Sequence, residues 1–282
     1  VIIIKSPHIK FADLGFIRNS SDAIEVELFI AGRVVEKIAI NAVMAGCKPE
    51  YLPVVIAAAE AALIDAFCMH GLLATTWFSG PMVIVNGPIR AELGMVSSFN
   101  ALASSDRATT AIGRAVRLTL INLLDVRPGG IDRSTLGHPG KISYCMAEDE
   151  ESSPWPSLAV ERLGLTSEVT PSAVTVLAAM APRQIMNEWT TVPEEILDTF
   201  VAEIKANMRH YSIWAGDYCI VIAPQLRHHL ADGGWSKSDI QTYIFERARI
   251  RRSEWGDVGK GSVVLDKGER EYAALSSPND LL

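Results

Sequence analysis

The stretch LPVVIAAAEAAL over residues 52–63 sets the tightest limit on the fold, because it has the length of a helix yet is apolar on nearly every side, interrupted only by Glu60. A helix that is hydrophobic all round must be covered all round. The reading extends this helix from Pro49 to about residue 67. Pro49 suits a first helical position, where its missing N–H costs nothing, and Glu50 complements the positive end of the macrodipole. Pro53, still in the first turn, is tolerated.

What covers such a helix is suggested by MVIVNGP, 82–88, four successive apolar residues before an Asn-Gly-Pro turn. That pattern predicts a strand buried on both faces, as in a parallel sheet with helices on either side. SAVTVLAAM (172–180) reads as another strand, as do ISYCMA (142–147), the N-terminal VIII and IEVELFIAGRVV (24–35), the last turning at Ala31-Gly32. KFADLGFIRNSSD (10–22) reads as loop, and SVVLD (262–266) as an isolated strand in a polar tail. IRAEL (89–93), closed by Gly94, is a short helix; residues 95–107 are loop, and TTAIGRAVRLTLINLL is a core-facing helix after Arg107. WSKSDIQTYIFERARI (235–250) is a helix with Ser236 as N-cap and Asp239 three residues on.

An order of elements recurs. PEEILDTFVAEIKANMRHY from Pro193 matches the Pro-Glu start and length of the helix from Pro49, and each is followed by an apolar strand, a proline and a short glycine-closed helix. Arg90 and Arg227 align in this comparison. Either the chain is duplicated internally, or two α/β units share a composition. The duplication reading gives an α/β fold of two related lobes, 1–156 and 157–282, with buried helices packed on mainly parallel sheets and a ligand cleft between the lobes.

Composition removes several function classes. The 282 residues carry a net charge of −7 with a pI near 5.4, and no Lys/Arg run makes a basic stripe, so nucleic acid is not an expected partner. The longest apolar run is too short to span a bilayer and VIII lacks signal-peptide architecture, which predicts a cytoplasmic protein without membrane partners. Cysteines 47, 68, 145 and 219 show neither CxxC nor zinc-finger spacing, so separate reduced thiols are expected.

Candidate chemistry concentrates at a few junctions. Cys47 lies just ahead of the Pro49 helix start with Lys48 beside it, a placement expected to favour the thiolate; the alternative is a small packed residue between Gly and Lys. Asn100, Arg107 and Thr110 are placed to bind an anion at a loop and helix start, unless Arg107 merely pairs with a neighbouring acid. In STLGHPGK (134–141), three Gly/Pro positions shape the backbone around His138 and present Lys141 next to it. Glu148 opens the acidic run 148–151 after a strand, where open α/β sheets keep ligands, and would pair with His138 for proton transfer; Asp149 to Glu151 read as a solvated turn. Asn86 ends its strand in the same manner. A metal held by His138, Glu148 and Cys145 has no diagnostic spacing behind it, and the adjacent His228 and His229 face different ways. No cofactor is indicated.

INAVMAGCKPEYLPVV (40–55), IVNGPIRAELG (84–94), STLGHPGK (134–141), AEDEESSPW (147–155) and DGGWSK (232–237) together resemble a family of largely uncharacterised bacterial and fungal proteins. Members are encoded near, or fused to, a small selenoprotein-like domain with a Sec-Gly-Ser-Cys motif. The resemblance covers most of 36–250 and implies thiol or selenol redox chemistry nearby, without giving Cys47 a role. The leading expectation is an enzyme, a thiol-dependent oxidoreductase or lyase, that turns Cys47 on a small anionic substrate. In it His138 and Glu148 carry protons while Lys48, Asn86, Asn100, Arg107 and Lys141 bind. The alternatives are a metal-dependent lyase or hydrolase using His138 and Glu148, and a non-catalytic subunit docking a redox partner protein. Either way a homo- or hetero-oligomer is expected.

Overall fold

The computed structural model describes residues 2–6, 9–13, 24–103, 106–166, 172–210, 215–254 and 271–282. In chain order its elements are β1 (Ile2–Ser6), β2 (Ile9–Asp13), α1 (Ile24–Met44), α2 (Leu52–Leu63), α3 (Met69–Ala74), β3 (Gly80–Asn86), α4 (Ile89–Glu92), α5 (Arg107–Leu124), β4 (Cys145–Ala147), α6 (Leu158–Leu163), β5 (Ala173–Ala179), β6 (Arg183–Gln184), α7 (Pro193–His210), β7 (Asp217–Val221), α8 (Pro224–Asp232), α9 (Lys237–Arg247), β8 (Arg249–Arg251) and β9 (Glu271–Ala273). The fold is α/β. Among the described residues no helix is long and apolar enough to cross a membrane.

The chain divides into two compact units: residues 8–152 with 156–181, and residues 1–7 and 153–155 with 182–282. The division therefore falls near 181 rather than 156. The reason is β5, which hydrogen-bonds to β3 along its whole length and so belongs with the first helices and strands, while β1 pairs with β6 and β7.

In the larger unit the sheet order is β2-β5-β3-β4. β3 and β4 are parallel, whereas β5 is antiparallel to both β3 and β2. The expectation of mainly parallel sheets is thus corrected to a mixed sheet: an unbroken apolar run reports that both faces are covered, not which way the neighbour points. Val83, Val85, Cys145, Ala147, Val174 and Val176 form one face and pack against α2 and α5. On α2, Val54, Val55, Ala58 and Ala62 are fully buried, as its composition demanded, with each buried valine contributing roughly 1.5–3 kcal/mol.

Two local expectations changed. Residues 24–35 are the first part of α1, not a strand pair. The apparent alternation is short, and it runs on into Ile38, Asn41 and Ala42, buried at helical spacing. Residues 10–13, expected as loop, complete β2; residues 14–22 and SVVLD at 262–266 lie outside the described residues. α5 begins as it does because Asp106 caps it, accepting from Thr109 N at 2.8 Å, and its other oxygen accepts from Val96 N at 2.9 Å. Gly113 lets α5 approach β4 closely: a Cβ there would lie 2.7 Å from Tyr144 N and 2.5 Å from Ser143 Oγ.

The smaller unit has an antiparallel sheet, β6-β1-β7, and the hairpin β8-β9. Ile196, Phe200 and Ile204 of α7 share its core with Ile240 and Ile244 of α9. Ser236 and Asp239 form a reciprocal capping box at the start of α9, as expected. The repeated order of helix, strand, proline and short helix is present in both units, and the aligned Arg90 and Arg227 are both buried. The two strands nevertheless sit in differently connected sheets, β3 inside a mixed one and β7 at the edge of an antiparallel one.

Candidate functional site at the carboxyl ends of β3 and β4

Every residue singled out as a candidate lies in the larger unit. Because β3 and β4 are parallel, Asn86 and Glu148 emerge at the same edge, and the groups there are tightly bound to one another. Asn86 is fully buried and donates from Nδ2 to Glu148 Oε2 at 2.5 Å and to Glu150 Oε1 at 2.8 Å. Glu148 Oε2 also accepts from Leu158 N at 2.8 Å, fixing the start of α6. Gly87 N donates to Glu150 Oε1 at 2.8 Å.

Arg90 is the centre of this network. Its Nη1 donates to the Glu148 carbonyl at 2.6 Å and its Nε to the Gly87 carbonyl at 3.0 Å. Its Nη2 pairs with Glu150 at 3.1 Å and with Glu151 at 2.8 Å. The Arg90 hydrogen bond and charge hold the Glu151 carboxyl below its ordinary value. The solvated-turn reading is therefore corrected for Glu150, whose side chain is 10 % exposed, while Glu151 is exposed but paired. Glu148 is committed to Asn86 and α6 rather than waiting as a proton carrier. Sequence reading noted Arg90 only through its alignment; the missed signal was a single cation shortly after Asn-Gly-Pro in a chain with a four-acid run.

Cys47 occupies a different environment from the one expected. It follows the carbonyl end of α1, with Gly46 at φ +88 closing that helix and Cys47 N donating to Ala42 O at 2.9 Å. What comes after it is a single 3-10 turn, Pro49–Tyr51, before α2. The thiol is half-buried, and burial pushes it up to about 11, with the Arg107 charge only partly opposing. The expectation of an easily formed thiolate is overturned because desolvation exceeds the charge effect. With ~0.01 % thiolate at pH 7 expected from that value, iodoacetamide should modify exposed Cys68 well before Cys47. Peptide mapping that finds Cys47 labelled first would contradict this.

Arg107, the first residue of α5, reaches back to donate from Nε to the Gly46 carbonyl at 3.0 Å. Among the described residues its guanidinium has no carboxylate partner, so the simple ion-pair reading does not hold. Lys48 is exposed at the entry to the 3-10 turn, and Asn100 is exposed with φ +60 in the loop ahead of α5. Buried Cys145 on β4 is close enough for Asp106 and Cys47 to act on its thiol electrostatically, though burial is the main cause of its raised value.

His138 and Lys141 belong to the other end of the sheet. Lys141 lies over Gly80, the first residue of β3, and its Nζ donates to Asp132 Oδ1 at 2.8 Å and Ser134 Oγ at 2.5 Å. Arg117 Nη2 holds the second Asp132 oxygen at 3.0 Å. Lys141 is thus a member of a closed structural network. The His138 ring packs edge-on against Tyr144 at 5.7 Å and rests on Gly140, where a Cβ would come within 2.8 Å of Cε1. Burial lowers its pKa; the Ala179 carbonyl opposes this and the Lys141 charge adds to it. Ala179 pairs with Gly80, so His138 and Glu148 are separated by the length of seven-residue β3, on the order of 20 Å. The proposed acid–base pair is not formed, and among the described residues no cluster of three or more His, Cys, Asp or Glu is arranged for a metal ion.

α5 shows which end Cys47 shares. Arg117 contacts the Asp132–Lys141 network, Gly113 packs on residues 143–145, and Arg107 lies a further six residues toward the carboxyl ends of the strands. The structure therefore groups Cys47 and Arg107 toward the Asn86–Glu148 end and leaves His138 and Lys141 at the opposite one. Asn86 Oδ1 is a buried acceptor without a partner among the described residues. Comparison with protein-family models, curated proteins and solved structures gives no match.

Proposed function

We propose that the chain is an enzyme that takes a small anionic substrate at the Cys47–Arg107 corner, with Arg107 as the anchor and Cys47 as the group that acts on it. The observation that carries this reading is the Arg107 guanidinium, fixed through Nε to the Gly46 carbonyl, exposed, and without a carboxylate partner among the described residues. Arg107 also starts an 18-residue helix, but the Asp106 carboxylate already caps that end, so the attraction for an anion rests on the guanidinium itself. Lys48 supplies a second nearby charge in sequence, and Asn100 a polar group on the adjoining loop.

Burial keeps the Cys47 thiol protonated at neutral pH, and no described side chain hydrogen-bonds it. Chemistry at Cys47 then calls for a substrate that itself carries a group basic enough to take the thiol proton, which a carboxylate paired with Arg107 is not. Docking of a redox partner protein is the second reading, favoured by Phe99, 89 % exposed beside Asn100.

Titration calorimetry with inorganic phosphate, sulfate and acetate tests the anchor. At least one of these anions is expected to bind, Arg107→Ala to weaken it about ten-fold or more, as for loss of a charge-assisted pair, and Cys47→Ser to retain it. No binding of any of the three, or equal binding by Arg107→Ala, would remove the proposal.

A further inference from the structure

The smaller unit carries a cleft that the anion site does not use. It is a shallow, largely open depression, lined by the Gly233–Gly234 turn, Trp235 and one face of α9. Asp239, Tyr243 and Glu246 recur along α9 at intervals of four and three residues, so they share that face with Arg247. Gly234 adopts φ +82 in the turn after α8, and Trp235 N donates back to Leu230 O at 3.0 Å. The turn thereby sets the indole against Tyr243, with ring centroids 5.2 Å apart and planes at 82°.

Two perpendicular rings make a corner whose π-faces attract positive charge. One of the two rings already carries a cation, since the Arg247 guanidinium carbon lies 3.7 Å from the centroid of the Tyr243 ring. Arg247 is loosely kept there. Its side chain is 46 % exposed, and its polar contacts, to Tyr243 O at 3.5 Å and Glu246 Oε2 at 3.4 Å, are long. The surrounding charge is acidic. Tyr243 Oη donates to Asp198 at 2.9 Å, and its pKa is raised by burial, by Asp198 and by Glu194, with Arg247 opposing. Asp239 and Glu246 line the cleft itself. An anion would meet Asp239 and Glu246 on the lining, with Asp198 and Glu194 acting at the Tyr243 hydroxyl, against the Arg247 guanidinium.

We infer that this cleft is a binding site for a small organic cation, a quaternary ammonium or alkylguanidinium group, with Arg247 standing in its place in the unliganded chain. The ligand stacks on Tyr243 and Trp235, and Arg247 swings out to solvent. Ordinary ligand sites lose affinity when a lining residue is truncated. Here removal of the resident cation should do the reverse.

Choline and its neutral isostere 3,3-dimethylbutan-1-ol are the probes, with binding to the whole chain followed by NMR or calorimetry. Choline is expected to bind and the alcohol to bind at least about ten-fold more weakly, since shape without charge forgoes the cation–π attraction. Arg247→Gln should tighten choline several-fold. Trp235→Ala should weaken it about ten-fold while Trp235→Phe keeps most of the affinity. Equal binding of the alcohol and choline would overturn the inference, as would an Arg247→Gln protein that binds choline no better than wild type. Arg247 is a surface side chain, so this second arm does not depend on a variant that disturbs the core.

Discussion

Arg90→Met is expected to lower unfolding free energy by about 3–5 kcal/mol, the range for removing one partner from a buried ionic network. The loss has three sources in the structure. The Glu150 carboxylate, 10 % exposed, would keep its bonds to Asn86 and Gly87 N but lose its only cation among the described residues. The Glu148 and Gly87 carbonyls would each lose a donor. Met fills similar volume, so the effect isolates charge and hydrogen bonding rather than a cavity. Glu151→Gln is the control: its side chain is 69 % exposed and its pair with Arg90 should be worth no more than about 1 kcal/mol. Urea unfolding followed by far-UV circular dichroism measures both. Equal costs for the two changes would show that the carboxyl edge of β3 and β4 is not held by Arg90.

At the other end of β3, Asp132→Asn should be of comparable size, about 3–5 kcal/mol at neutral pH. Asp132 is buried, and it compensates both Lys141 and Arg117, each with a side chain only 11 % exposed. Burial by itself would raise the Asp132 pKa, but the hydrogen bonds and charge of Lys141 and the hydrogen bond of Arg117 outweigh it and hold the carboxyl below its ordinary 3.8. The folded-state value is therefore depressed, so the unfolded chain takes up the proton first. The stabilisation is complete above 3.8 and fades as pH falls from there through the folded value. The difference between wild type and Asp132→Asn should stay level from pH 7 to about pH 4 and shrink below it. A gap that closes already between pH 7 and pH 5 would mean that Asp132 is not the ionised partner of Lys141.

The two networks explain why candidate residues chosen for their chemistry had different fates. Lys141 and Glu148 look like reactive groups in a sequence, since each sits at the junction of a shaped loop and a strand. In the structure each is consumed by partners remote in sequence, Glu148 by Asn86 and Lys141 by Asp132. Arg107 shows the opposite outcome: among the described residues its side chain makes one hydrogen bond, to a backbone carbonyl, and no ion pair.

The sequence alone determined what depends on short-range pattern. An all-apolar α2, a β3 covered on both faces and the Ser236–Asp239 cap follow from residue spacing within a dozen positions, because burial and capping act on neighbouring residues. Where the pattern was brief, as at 24–35, strand and helix read alike, and the longer buried stripe of α1 decided. Only the tertiary structure decided that β5 runs antiparallel beside β3, that Arg90 gathers the acids after β4, and that His138 and Glu148 occupy opposite ends of one strand. It also decided the state of Cys47, where desolvation exceeds the pull of Arg107. Periodicity records how deeply a residue is buried, whereas strand direction, ion pairing and proton affinity depend on which distant segment does the burying.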